Sequence, residues 1–231
     1  MIIIMGDIHG QFGLVNHVID TLPKDSIILQ VGDFGWWPRF HNKIRTSSDG
    51  RMIDWNQYSL NTKGIPLYWC DGNHEDFEDL EHREFNDVMK NVYWMKRGSV
   101  LQLPDNRKVL FMGGARSIDM AYRVQGLTWF PQEMISYKEI ENLPDEKIDI
   151  IISHTAPLEF YIGSRYEDDP NRKVLSYLLE KYQPKIWAFG HFHNYKKGFA
   201  KGCHWTMLAD TYSDEIWYEK LSNGHSIDKL V

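Results

Sequence analysis

The sequence predicts an α/β fold with its chemistry at the carboxyl ends of the strands, and two observations lead there. Five apolar, strand-like runs are each followed at once by a short polar signature. Between the first two runs the apolar residues switch to helical spacing, the mark of alternating strand and helix. Open α/β sheets bind ligands in the crevice beyond the carboxyl ends of their strands, so five such endings point to one shared site.

The elements follow in order. Residues 1–5 lead into Gly6-Asp7-Ile8-His9-Gly10. Leu14, Val15, Val18, Ile19 and Leu22 then recur on one helix face, and Pro23 closes that helix. The run 27–31 delivers Gly32-Asp33. An irregular stretch between Gly35 and Gly64 opens with Trp36-Trp37-Pro38-Arg39. Within it, Thr46-Ser47-Ser48-Asp49-Gly50 marks a turn or exposed loop, and 53–60 reads as a short helix. The run 65–70 ends in Asp71-Gly72-Asn73-His74-Glu75, and the acidic, partly periodic stretch 77–89 reads as a surface helix. Stretches 93–103 and 109–112 read as strands around an Asp105-Asn106 turn.

Gly113-Gly114 opens an irregular segment through Trp129, and 133–142 reads as a helix stopped by Leu143-Pro144-Asp145. The run 148–152 is followed by Ser153-His154. A helix over 171–182 places Val174, Leu175, Leu178 and Leu179 on one face. The run 186–189 leads into Gly190-His191-Phe192-His193, and the alternation at Trp205, Met207, Ile216 and Tyr218 indicates antiparallel strands in the tail. No repeat, low-complexity tract or linker divides the chain, so 1–231 reads as a single domain.

Composition narrows the function classes. With 42% hydrophobic and 14% aromatic residues the chain has ample material for a core, which excludes a disordered polymer. A formal net charge of -6 argues against a broad basic surface, so extended nucleic-acid binding would need a partner protein. A short strand entering a metal-lined cleft stays compatible with that charge, because bound cations invert the local potential. Cys70 and Cys203 are far apart and give neither a disulfide framework nor a thiolate zinc site; Cys70 reads as a small buried hydrophobe. The five residues before Gly6 are too few for a signal peptide, and no run approaches about twenty apolar residues. The expectation is a cytoplasmic protein without a membrane partner, a monomer or small oligomer.

The polar endings carry ligand chemistry. Histidine nitrogen with carboxylate oxygen suits Mn, Fe, Zn, Co or Ni. Asp7 and His9, two apart, point to the same side if the strand end stays extended, and His191 and His193 would form the opposite wall. Asp33 has two oxygens with which to bridge two ions, Asn73 offers a neutral carbonyl, and His154 completes the set. Any one of these residues, taken singly, reads more readily as a turn, a cap or a satisfied hydrogen-bonding residue than as a ligand. Turn chemistry does not account for all five endings together.

Taken in order, Gly6-Asp7-Ile8-His9-Gly10, Gly32-Asp33, Gly72-Asn73-His74-Glu75, His154 and Gly190-His191-Phe192-His193 resemble the signature of the calcineurin-like metallophosphoesterases. The resemblance implies two packed mixed β-sheets flanked by helices, a four-layer αββα sandwich. It implies two divalent metal ions, with Mn favoured among Mn, Fe, Zn, Ni, Co and Mg. Asp7, His9 and His193 would bind one ion; Asn73, His154 and His191 would bind the other, and Asp33 would bridge them. The implied reaction is hydrolysis of a phosphodiester or phosphomonoester by a metal-bridging hydroxide. The substrate would be a small or nucleotide-like phosphoester.

His74 would stand beside the scissile phosphate, either protonating the leaving oxygen or hydrogen-bonding a phosphoryl oxygen. Glu75 and Asp76 would orient His74 and raise its pKa, or cap the following helix, with capping preferred for Asp76. The protein phosphatases of this superfamily carry two arginines that are missing here, where Phe34-Gly35 follows Asp33 and Asp71 precedes Gly72. Arg39, Arg116 and Arg123 are the candidate replacements for reading a phosphate, against a plain surface role. Trp36, Trp37 and Trp129 would either stack on a substrate ring or pack the protein. Two alternatives share the fold: a nuclease subunit relying on a partner, and a non-catalytic scaffold.

Overall fold

The computed structural model of the chain describes residues 1–38, 60–162 and 169–221, together with the backbone of three short strands at 44–46, 52–54 and 227–228. The chain begins with β1 (Ile2–Met5), α1 (Phe12–Thr21) and β2 (Ile27–Gln30), followed by a hairpin of β3 (Ile44–Thr46) and β4 (Met52–Asp54). Next come β5 (Leu67–Trp69), α2 (Phe77–Glu81), β6 (Asp87–Met89), β7 (Val92–Trp94), β8 (Val100–Gln102) and β9 (Lys108–Met112). Then follow α3 (Tyr137–Glu141), β10 (Ile150–Ser153), α4 (Pro170–Tyr182) and β11 (Ile186–Phe189). The chain finishes with β12 (Lys196–Ala200), β13 (Cys203–Met207), β14 (Tyr218–Leu221) and β15 (Ile227–Asp228).

Two mixed sheets form the frame. One has the order β15-β14-β1-β2-β5-β7-β6, the other β12-β13-β11-β10-β9-β8. In each, four central strands are parallel, β1, β2, β5 and β7 in the first and β9, β10, β11 and β13 in the second. Antiparallel strands lie only outside them. Parallel strands bury both faces, which is why they read as unbroken apolar runs.

Alternation along those runs sorts side chains into layers. Ile3, Met5 and Ile28 pack with Val15 and Ile19 of α1. Ile4, Leu29 and Val31 face Val109, Phe111, Ile150, Ile152, Ile186 and Ala188 between the sheets. Leu110, Ile151, Trp187 and Phe189 pack with Leu175, Leu178 and Leu179 of α4. The order is therefore α1, first sheet, second sheet, α4. A slip of one residue in any central strand would exchange its two faces, so the register is tightly held. Trp187 is fully buried, and its indole N–H donates to Ser153 Oγ at 2.7 Å, so the ring buries no unpaired polar group.

Several elements differ from the sequence reading. The expected helix over 77–89 stops at Glu81, and 87–89 becomes β6, pairing with β7 and burying Val88. A sheet edge outweighs weak helical periodicity there. The expected strand 93–103 divides into β7 and β8, which belong to different sheets, so the chain crosses between sheets at this point. Helix 133–142 shrinks to α3, where Ser136 and Glu139 form a capping box. Residues 53–54 lie in β4 rather than a helix; the remainder of that stretch to 59 and the polar run 47–50 lie outside the described residues. In α1, Leu14 is exposed and Phe12 takes its place on the buried face. The tail strands form as expected, and β13 additionally pairs in parallel with β11.

Candidate metal centre

Because the central strands of each sheet run the same way, the residues after them collect along one edge. Asp7 and His9 follow β1, Asp33 follows β2, and Asn73 and His74 follow β5. His154 follows β10, and His191 and His193 follow β11. The extended strand ends expected from the sequence are not what aims these side chains. His9, Asp33, His191 and His193 all have left-handed backbones, with φ of 49°, 51°, 69° and 53°. Such conformations cost a non-glycine residue about 1–3 kcal/mol each and persist where the surroundings over-determine them.

Asp7, His9, Asp33 and His193 present ligand atoms that all lie within 4.8 Å of one another. His9 Nε2 and His193 Nε2 are 3.2 Å apart, and His193 Nε2 is 3.3 Å from Asp7 Oδ2. That carboxylate oxygen accepts the His191 backbone N–H at 2.9 Å, whereas Asp7 Oδ1 is buried with no hydrogen-bond partner. A buried, unsatisfied carboxylate oxygen is costly unless something else completes it. These residues fit a divalent cation: the donors are of the right type, and the orphaned oxygen asks for positive charge.

A second cluster adjoins the first through Asp33. Its Oδ2 lies 3.9 Å from His9 Nε2, and its Oδ1 lies 3.2 Å from His154 Nε2. Oδ1 also accepts the backbone N–H groups of Asn73 and His74, each at 2.9 Å. His154 Nδ1 donates to the Val31 carbonyl at 3.0 Å, and its Nε2 lies 3.2 Å from Asn73 Oδ1. Committing the Nδ1 proton to a carbonyl leaves Nε2 to ligate when the ring is neutral. The His191 ring packs edge-on against His154, with centroids 5.0 Å apart. Two glycines make the approach possible: a Cβ at Gly72 would meet Asp33 Oδ1 at 2.0 Å, and one at Gly190 would meet Asp7 Oδ1 at 1.9 Å.

The charges divide the histidines into two kinds. Burial opposes protonation of His154 and His193, but Asp33 and Asp7 outweigh it at His154, and Asp7 and Asp210 at His193, so both rise to about 9. Burial dominates at His9, which is lowered, and at His191, which falls well below the usual range with help from His154. Burial, reinforced by the Arg123 guanidinium, brings His74 down to about 3. The imidazolium form of His74 is therefore disfavoured. Burial works to raise Asp33, but the histidines around it hold it well below the carboxylate range.

The neighbours of the signatures have definite jobs. Glu75 is fully buried and its carboxylate receives the N–H groups of Phe34, Gly35 and Trp36 at 2.7, 3.2 and 2.7 Å. It clamps the loop after Asp33 instead of orienting His74. Asp76 caps α2 by accepting from Asp79. Asp71 forms a buried ion pair with Arg97 at 2.7 Å. Trp36 and Trp37 are buried in packing, and Trp129 is half-buried. Cys70 is buried, and burial pushes its thiol well up.

The three arginines separate. Arg123 Nη2 lies 3.1 Å from His74 Nε2, its Nη1 donates to the Asn73 and Thr128 carbonyls, and its Nε pairs with Asp119. Arg116 is exposed. Arg39 lies outside the described residues.

Sequence reasoning missed three residues. Asp210 Oδ2 is 3.4 Å from His193 Nδ1, the carboxylate behind a histidine that fixes its orientation. It follows β13 as Asp7 follows β1, so the same ending rule would have found it. Ser117 and Glu133 stand behind Asn73, and no local signal marks them.

With this geometry in place, comparison with known proteins is direct. The model of the calcineurin-like phosphoesterases matches residues 1–195, and the chain belongs to that family. Among solved structures, one crystal structure superposes with a TM-score of 0.55 at 11% identity, covering 94% of this chain and 93% of the other. That likeness shows the fold. Two others have lower TM-scores: the phosphopantetheinyl hydrolase of Mycobacterium tuberculosis, at 12% identity, TM-score 0.49 and coverage of 97% and 96%, and TT1561 of Thermus thermophilus, at 13%, 0.47 and coverage of 90% and 88%. No curated protein matches the chain. Among the described residues no helix is long and apolar enough to cross a membrane.

Proposed function

We propose that the chain, acting as a single domain, is a dinuclear metal-dependent phosphoesterase for a small or nucleotide-like phosphodiester or phosphomonoester. One observation carries the reading: Asp7, His9, Asp33 and His193, from three separate strand ends, bring their ligand atoms within 4.8 Å. Asp7, His9 and His193 would hold one ion, and Asn73, His154 and His191 would hold the other. Asp33 would bridge them, a role its geometry supports, because one oxygen faces His9 and the other faces His154. The nitrogen-and-oxygen donor set is compatible with Mn, the metal this reading favours.

When bound, the divalent cations supply charge to the phosphoryl oxygens and make water nucleophilic near neutral pH. The protein's own residues then position the ester. His74 is neutral and accepts from Arg123 at Nε2, so its proton sits on Nδ1 and serves as a hydrogen-bond donor to the phosphoryl group. That role replaces the imidazolium acid. Arg123 holds the His74 ring and the Asn73 carbonyl, which makes it the one of the three arginines that reaches the centre among the described residues.

Hydrolysis of p-nitrophenyl phosphate against bis-p-nitrophenyl phosphate, with Mn, Ni, Co, Zn and Mg in parallel, tests the reading. Metal-dependent release of p-nitrophenol from either ester supports it, and the preferred ester separates diesterase from monoesterase. Absence of release from both, with metal bound, removes it in favour of a scaffold.

A further inference from the structure

We propose that Glu133 and Ser117 form a positioning relay that fixes which end of the Asn73 side-chain amide faces the metal centre. The inference rests on the reading of Asn73 as a ligand. The two ends of an asparagine amide have nearly the same shape, but only the oxygen has a lone pair to give a cation. Some neighbour must choose between them.

The choice is made by the direction of one proton. Asn73 Oδ1 faces His154, while Nδ2 lies 3.1 Å from Ser117 Oγ. Ser117 Oγ in turn lies 2.6 Å from Glu133 Oε2. A carboxylate only accepts, so the single hydroxyl proton of Ser117 is committed to Glu133. What Ser117 presents to Asn73 is then a lone pair, and Asn73 must answer with its N–H. Reversing the amide would set oxygen against the Ser117 lone pairs and put N–H groups into the metal centre.

The relay is held from behind. The Ser117 backbone N–H donates to Glu133 Oε2 at 3.2 Å, and the Phe130 N–H donates to Oε1 at 3.3 Å. Burial raises the Glu133 carboxyl to about 7, against the pull of the donors on both oxygens and of Arg123, so above that pH the group is the carboxylate the relay needs. Asn171 Nδ2 donates to the Glu133 carbonyl at 3.0 Å and fixes its backbone. Asn73, Ser117 and Glu133 are 4%, 1% and 0% exposed, so water does not stand in for any member. A charged residue with no exposure, sixty positions beyond Asn73 in the chain, needs a reason to be there, and orienting the ligand supplies one.

The test is calorimetric titration of Mn into metal-free protein at a pH above about 7, where Glu133 is ionised. Ser117→Ala and Glu133→Gln are expected to weaken one of the two Mn sites about 10–100-fold and leave the other unchanged. Ser117→Thr, which keeps the hydroxyl, is expected to bind as the natural protein does. In an Asn73→Asp background both ends of the side chain are oxygen, and Ser117→Ala is expected to cause no further weakening. Equal weakening by Ser117→Ala with and without the Asn73→Asp change, or weakening of both sites together with a lowered melting temperature, would overturn the relay as a merely structural contact. Asn73→Ala keeps the two failures apart. If it weakens binding but Ser117→Ala does not, the relay is wrong; if it leaves binding intact, Asn73 is no ligand and the relay falls with it.

Discussion

Nε2 of His9 and Nε2 of His193 face each other at 3.2 Å, although 184 positions separate the two residues in the chain. Each sits on a left-handed turn just past a strand end. Two imidazole nitrogens meet this closely when a proton or a cation lies between them. The fold holds them there against the backbone cost, because β1 and β11 are central strands of two packed sheets whose registers are fixed by burial on both faces.

That backbone cost can be measured. At φ 49°, glycine should be preferred to alanine at position 9, the reverse of its usual rank. His9→Gly is expected to be more stable than His9→Ala by about 1 kcal/mol in chemical denaturation, with metal binding lost in both. Equal stability, or a more stable alanine variant, would show that no strain resides at this turn.

Metal uptake should release protons. His154 and His193 are raised to about 9 in the metal-free protein, so near neutral pH both are charged, and a cation must displace those protons to reach the nitrogens. Titration of Mn in buffers of differing ionisation enthalpy is expected to show release of about two protons near pH 7, with affinity rising towards about pH 9. The same groups stabilise the metal-free fold. Their contribution is full below the ordinary histidine value of about 6.5 and is lost as pH rises through about 9. Metal-free protein should therefore melt at lower temperature as the pH climbs through that window, and a flat profile would contradict the assignment.

Gly190→Ala tests how closely backbone and ligand are packed. The added Cβ would overlap Asp7 Oδ1, so either the carboxylate or the turn must move. A loss of about 1–3 kcal/mol in stability is expected, with a weakened metal site. Unchanged metal affinity would show that Asp7 can relocate without consequence.

His74→Ala should leave metal content intact and slow turnover about 100-fold, as loss of a positioned hydrogen-bonding group does. The ring touches Arg123 and the His9 ring, and it is the main-chain N–H of His74 that donates to Asp33. Metal analysis and steady-state rates on one preparation separate the two effects. An unchanged rate would remove His74 from the reaction.

Much of the centre was legible because apolar runs are long and ligand residues are rare. Asp7, Asp33, Asn73, His154, His191 and His193 all stand within a few residues of a buried strand, and burial of both strand faces makes such runs conspicuous. Ser117 and Glu133 were not legible: their contacts reach across 44 and 16 positions, in a segment that holds only short 3-10 turns and no strand or α-helix. The roles of Glu75 and Asp71 were equally hidden, since a clamp on the 34–36 backbone and an ion pair with Arg97 exist only after folding. Element boundaries failed where periodicity was weak, as in 77–89, which gave way to the unpaired edge of β7.

The most direct measurement is Mn titration of chelator-treated protein, following bound metal and diester or monoester hydrolysis together, beside Asp33→Asn. Hydrolysis is expected to rise in step with metal and level off at about two ions per chain, with the Asp33→Asn variant losing metal and at least about 100-fold in rate. Hydrolysis that ignores the metal, or an Asp33→Asn protein that keeps both ions and its full rate, would contradict the account.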